Sequence, residues 1–347
     1  MNQLKTILVG VDFSECSRRA LEQAVRLARW NNAQLSIIHV QDNSELELAG
    51  VEFPPPLDEL RRHHRERAIA QLAEWAEQAG APAATNREVI NGTPLDVLIK
   101  ESRNRRADLL VLGATGESLL PHGTGTLATK CLRKSSAKVM LVHASQVRPY
   151  RRVLACVDFS ETSRVAVAQS LHVADQDRAE VHLLHVFRAE WQIWNFHQPL
   201  PALSDFEKNY RAIMENNLRQ FVTVPPRINA SYSVAPAETH GAGIADYARR
   251  IGADLVVLGS KGRTNLKCVL LGSTVERLLK EIACSVLVTR PPPGVGSAMA
   301  WQADAASGER EAVIQAGQSD QHRATPVGTA PGDKEPEAIY PPILSRL

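Results

Sequence analysis

The chain has 347 residues, 44% of them hydrophobic, 22% charged and 5% aromatic, a length that fits two domains or one large domain with a tail. Forty Lys and Arg against 38 Asp and Glu leave a formal net charge of +2, which excludes the global cationic field of a nucleic-acid or anionic-lipid binder. No run approaches the roughly 20 apolar residues that span a bilayer, so neither nucleic acid nor membrane is expected as a partner. The opening MNQLKTILVGVDF runs into charged text without the apolar core of a signal peptide. Cys16, Cys131, Cys156, Cys268 and Cys284 are scattered without CxxC spacing, which reads as buried thiols in a reducing compartment, with no disulfide frame and no metal site. A cytoplasmic protein is the expectation.

In chain order, a β-branched apolar run from Thr6 to Val11 predicts a strand ending at Asp12. Ala20, Leu21, Ala24, Val25, Leu27 and Ala28 recur at helical spacing on one buried face. A second strand runs from Leu35 to Val40, and Leu60, Ile69, Leu72, Ala73 and Ala76 mark a second helix. A third strand lies near Arg87 to Ile90. Thr93-Pro94 reads as an N-cap with proline at the first helical position, opening a third helix. A strand from Asp108 to Leu112 reaches Gly113. A loop, a helix from about Gly125-Thr126 and a strand from Val139 to Val142 complete the unit. Apolar strands without strict alternation, separated by helices, indicate a parallel sheet covered on both faces.

The unit is then written again. ILVGVDFSECSRRAL from Ile7 reappears as VLACVDFSETSRVAV from Val153, 146 residues on, and ADLLVLGATG from Ala107 as ADLVVLGSKG from Ala253. After the glycines the offset becomes 147, matching Gly125-Thr126 to Gly272-Ser273. The expected architecture is therefore α/β, two tandem doubly wound five-stranded domains over residues 1–147 and 148–290, hinged at 145–149. Residues 291–347 hold 8 Pro and 6 Gly in polar, Ala-rich text, a composition that predicts a disordered tail.

In doubly wound folds a ligand lies beyond the carboxyl ends of the strands, which in the second repeat selects Asp158, Val186 and Gly259. Gly259 opens GSKGRTNLKCVLLGSTVERLL. Gly259, Gly262 and Gly272 let backbone N–H groups approach an anion. Gly272, Ser273 and Thr274 fall at a helix start, where free N–H groups and the dipole favour phosphate. Lys261, Arg263 and Lys267 make the loop basic.

This segment resembles the universal stress protein family, whose nucleotide-binding signature G-x2-G-x9-G-[ST] is met by Gly259, Gly262, Gly272 and Ser273; VDFS at 157–160 resembles the family's first-strand turn. The resemblance covers both repeats, residues 3–290. It implies the adenine nucleotide alpha hydrolase-like fold, ATP binding (with or without Mg2+) or another adenine nucleotide, and pairing through the fifth strand, either inside the chain as a pseudo-dimer or in a homodimer. It places Asp158 and Val186 against adenine or ribose, and Gly259, Gly262, Gly272, Ser273 and Thr274 on ribose and phosphates. Arg263 joins them as a candidate phosphate contact.

The first repeat departs from the signature. Its weaker candidate set is Asp12, Val40, Gly113, Gly116, Gly125 and Thr126, but the second gap is eight residues, and the loop holds Glu117, Pro121 and no cation before Lys130. An acid near phosphate oxygens repels, and proline removes an N–H.

Structural readings stand beside these. Asp12 and Asp158 also suit a turn or helix cap, and Lys261, Arg263 and Lys267 a solvated face. His39 and His185, ending the second strands, read as packed histidines or as a base. His63-His64 reads as an exposed helix face, and Trp191, Trp194 and Phe196 as packing or a partner patch. Without a GxxxxGK[ST] loop, GxSxG or HExxH, the expected role is a regulatory stress-response binder of nucleotide, with an unknown protein partner and no catalytic residues. A nucleotide-independent scaffold and a slow ATPase are the alternatives.

Overall fold

The computed structural model describes residues 4–42, 57–115, 124–145, 149–188, 201–260 and 271–291. The expected tail, Trp191, Trp194, Phe196 and Cys268 lie outside them, as does part of the expected hinge. The first repeat runs β1 (Thr6–Val11), α1 (Glu15–Asn31), β2 (Gln34–Gln41), α2 (Leu57–Gln78), β3 (Asn86–Asn91), α3 (Pro94–Asn104), β4 (Leu109–Gly113), α4 (Thr126–Lys134) and β5 (Lys138–Val142). The second runs β6 (Arg152–Cys156), α5 (Glu161–Asp177), β7 (Glu180–Arg188), α6 (Pro201–Phe221), β8 (Ala230–Ala237), α7 (His240–Ile251), β9 (Leu255–Gly259), α8 (Ser273–Glu281) and β10 (Ser285–Thr289).

All ten strands form one sheet, ordered β3-β2-β1-β4-β5-β10-β9-β6-β7-β8. Pairing is parallel within each repeat, for example Ile7 with Leu35 on one side and with Leu109 on the other. Among the described residues the one antiparallel pairing joins β5 to β10, with Met140 opposite Leu287. Residues 1–293 form one compact unit.

Alternation along each strand sorts the side chains onto two cores. Ile7, Val9 and Val11 of β1 join Ala20, Leu21 and Ala24 of α1, Leu72 of α2, Val167 of α5 and Leu218 of α6. Leu8, with Leu110 and Leu112 of β4, faces Leu98 of α3, Leu132 of α4, Ile244 of α7 and Leu278 of α8. Each repeat therefore sends its first two helices to one face and its last two to the other, which makes it doubly wound. Full burial of such side chains contributes about 1.5–3 kcal/mol each.

The helix starts differ from one another. Ser14, Ser160 and Thr239 cap α1, α5 and α7 by accepting from Ser17, Ser163 and Ala242 N–H. Thr93 takes the expected N-cap position of α3 before Pro94, but its hydroxyl makes no capping bond. Glycines cap α4 and α8 without any side-chain bond.

Candidate functional site

In each repeat the chain leaves the first strand toward one face and the fourth toward the other, so a crevice opens between their carboxyl ends. In the second repeat β6 and β9 are neighbours in the sheet, which brings the turn at Asp158 beside the end of β9 at Gly259. Asp158 Oδ1 accepts from the Ser160 amide at 3.0 Å and from its hydroxyl at 2.5 Å. Asp12 does the same with Ser14, at 3.1 and 2.6 Å. Phe13 and Phe159 sit at φ 63 between these partners, in the left-handed region that few non-glycine residues adopt. The turn reading of both aspartates is thus realised through Oδ1. Among the described residues Oδ2 of neither takes a hydrogen bond.

Both ends of the glycine loop are described. Ser260, after β9, donates its N–H to Thr289 O at 2.9 Å, and its carbonyl accepts the Gly272 N–H at 3.3 Å. Ala114 and Gly125 repeat the arrangement at 2.8 and 2.7 Å. The two loops are pinned alike at their ends although they differ by one residue. Gly262, Arg263, Lys261, Lys267 and Gly116 lie outside the described residues.

Gly272 stands at φ −61 as the N-cap of α8. Among the described residues a Cβ there would meet only Ser260 O, at 3.5 Å, an ordinary van der Waals contact. Ser273 is exposed and Thr274 half-buried beside it. Gly125 and the exposed Thr126 hold the matching positions at α4.

Gly113 has a packing role that spacing alone did not reveal. A Cβ on it would lie 2.9 Å from both Cys16 Cβ and Ser17 N, so the glycine lets α1 approach β4. Val186 is buried at the end of β7, and a Cβ on Gly243 would stand 2.8 Å from its Cγ1. Val40 is half-buried in the first repeat. Of the second set, the sheet therefore gathers Asp158, Val186, Gly259, Gly272, Ser273 and Thr274 at the same end of its strands.

His39 and His185 are structural. Each Nδ1 lies 2.8 Å from the carbonyl of Val11 or Val157, with the ring against Phe13 or Phe159 at 4.5 and 4.8 Å. Burial lowers the His39 pKa, against the Val11 carbonyl and the Asp12 charge, which raise it. His63 and His64 are exposed.

The start of α7 also borders the crevice, though no motif in the sequence marks it. Burial lowers the His240 pKa, Arg188 adds to this and Asp158 opposes it, so both charged side chains lie within electrostatic reach of His240. The available signal was positional, because Thr239-His240 aligns with Thr93-Pro94. A Cβ on Gly241 would fall 2.9 Å from Thr274 O, which fixes α7 against α8 at the crevice. Among the described residues no cluster of His, Cys, Asp or Glu is arranged to hold a metal, and no helix is long and apolar enough to cross a membrane.

A ten-stranded doubly wound sheet with a glycine-capped helix start at each of two crevices defines a duplicated doubly wound α/β protein. Comparison with known proteins gives its family. The profile of the universal stress protein family matches residues 3–143 and again 149–290, and the chain belongs to that family. It is 24% identical over 313 residues to a universal stress protein E homolog of Haemophilus influenzae, covering 83% of this chain and 98% of that one. It is 26% identical to a Mycolicibacterium smegmatis universal stress protein, covering 82% and 97%. The crystal structure of a universal stress protein from Archaeoglobus fulgidus superposes with a TM-score of 0.58 at 21% identity, over 84% of this chain and all of that one.

Proposed function

We propose that the protein binds an adenine nucleotide, ATP with or without Mg2+, chiefly in the crevice of the second repeat, and acts in a stress response as a cytoplasmic regulator. Asp158 and Val186 would hold the base or ribose, and Gly259, Gly262, Arg263, Gly272, Ser273 and Thr274 the ribose and phosphates. The observation that carries the reading is the start of α8, where the N-cap is a glycine that supplies no side-chain acceptor. Its free N–H groups and dipole suit an anion, and two hydroxyls stand beside them. The first-repeat set, Asp12, Val40, Gly113, Gly116, Gly125 and Thr126, would bind more weakly because its loop carries Glu117 and no cation.

Binding that orders the loop would alter a surface read by a protein partner. Catalysis has no support in the residues described: the crevice offers no paired carboxylates to activate water on a phosphate. The units 1–147 and 148–290 are then two binding modules of unequal quality.

Calorimetric titration of the full chain with ATP tests this. Among the described residues the nearest atom to a Cβ at Gly272 is Ser260 O at 3.5 Å, so Gly272→Val should leave the fold intact while abolishing binding. Undiminished affinity in that variant would show that the ligand lies elsewhere. A nucleotide-independent scaffold is favoured by one observation, the engagement of Asp158 by Ser160. Clean apo protein after purification, with no heat on titration, would establish it instead.

A further inference from the structure

The antiparallel β5–β10 pairing, with α1 and α5 on one face and α4 and α8 on the other, gives the two repeats a pseudo-two-fold axis normal to the sheet. Under that axis each contact across the seam has a mate, found by adding 146 before the glycine loop and 147 after it. Arg26 of α1 pairs with Asp177 of α5, whose side chain is 1% exposed. The mate joins His172 Nε2 to Asn31 Oδ1 at 3.0 Å, for Arg26 corresponds to His172 and Asn31 to Asp177. One couple is ionic and the other is an amide with an imidazole.

The same direction recurs elsewhere along the seam. On the opposite face Arg133 of α4 pairs with Glu276 of α8 at 2.7 Å, and the equivalent positions are Lys280 and Thr129. Lys138 Nζ donates to Gln169 Oε1 at 2.9 Å. Its mate positions are Ser285 and Gln23, and the buried Gln23 Nε2 has no partner among the described residues. In all three contacts the first repeat supplies the cation and the second the acceptor, which is a carboxylate twice.

We propose that the fifth-strand edge of the first repeat is a recognition surface that fits the edge of the second repeat and rejects a copy of itself. If two first-repeat edges met, Arg26 would face Asn31 and Arg133 would face Thr129, with no carboxylate at either place. Stripping a largely buried guanidinium of its counter-charge is strongly unfavourable, and charges matched across an interface act as much by excluding wrong partners as by holding the right one. Matching of this kind selects crossed pairing between unlike repeats. The duplicated chain thereby closes on itself instead of polymerising through like edges.

The full-length chain allows a test with two competing rescues. Arg26→Asp sets two acids together and should cost stability, raising the unfolding equilibrium constant in urea on the order of 100-fold. In the crossed arrangement, adding Asp177→Arg restores an opposite pair and should recover at least about 10-fold of that loss. In like-with-like pairing position 26 faces position 31, so Asn31→Arg would be the rescuing change. Recovery with Asp177→Arg alone supports the proposal. Recovery with Asn31→Arg, or with neither, overturns it.

Discussion

The Asp158 carboxylate and the Ser160 hydroxyl lie 2.5 Å apart, and Ser160 Oγ in turn accepts the Ser163 N–H at 3.1 Å to cap α5. One aspartate thus closes the turn after β6 with Oδ1, and its Oδ2 takes no hydrogen bond among the described residues. The two roles are separable. Ser160→Ala should cost about 1 kcal/mol of stability through the lost cap and leave nucleotide affinity unchanged. Asp158→Ala should cost a similar amount and also weaken ATP binding. Urea unfolding and calorimetric titration of both variants check this, and an equal loss of affinity in the two would merge the roles.

Gly113 and Gly10 make opposite demands on a side chain. At Gly113 the obstructing atoms include the backbone of Ser17 and Cys16, so alanine must push α1 away, at about 1–3 kcal/mol. At Gly10 a Cβ meets only the Leu112 and Leu98 side-chain ends at 2.8 and 3.0 Å, and the second repeat places Cys156 at the matching position. Gly10→Ala should therefore lower the melting temperature less than Gly113→Ala, as differential scanning calorimetry would show.

His39 makes stability depend on pH with a defined sign. Burial holds its folded-state pKa below the ordinary imidazole value of 6.5, so the unfolded chain takes up the proton more readily than the folded one. The stabilisation is complete above the unfolded value and is lost as the pH falls from there through the folded value. Urea midpoints should drop as the pH falls through the ordinary imidazole value of about 6.5, and His39→Gln should flatten part of that drop. An unchanged profile in the variant would remove His39 as its source.

The buried Cys131 and the half-buried Cys284 should be chemically silent. Burial pushes Cys131 and Cys284 up to about 12, so at pH 8 only about one thiol in ten thousand is thiolate. Mass spectrometry after brief iodoacetamide treatment should find both unmodified in the native protein and both alkylated in urea.

Much of this molecule was legible in its sequence because the signals were local and were stated twice. The strands at Thr6–Val11 and Leu109–Gly113 announce themselves by apolar runs, and the 146-residue offset confirms each by its copy. The glycine spacing could be read for the same reason: conformational freedom and helix starts are written in residue type. Gly113 shows the limit. Its spacing suggests a ligand, and the structure adds the close approach of α1, a contact between residues about a hundred positions apart. His240 and Gly241 carry no local mark of their neighbourhood with Asp158 and Thr274, which only the packing of α7 on α8 produces. Thr93 had the right position for a cap and lacks the bond.

The opening composition determined a near-neutral α/β chain, and repetition determined that it is two doubly wound units, since hydrophobic period and turn chemistry depend on neighbours a few residues away. The tertiary structure decided that the units share one ten-stranded sheet through β5 and β10. It also decided that their equivalent surfaces are unlike, with Arg26 against Asp177 where the mate is His172 against Asn31. The sign of a charge is visible in a sequence, but the charge it will face is set by the symmetry of the fold.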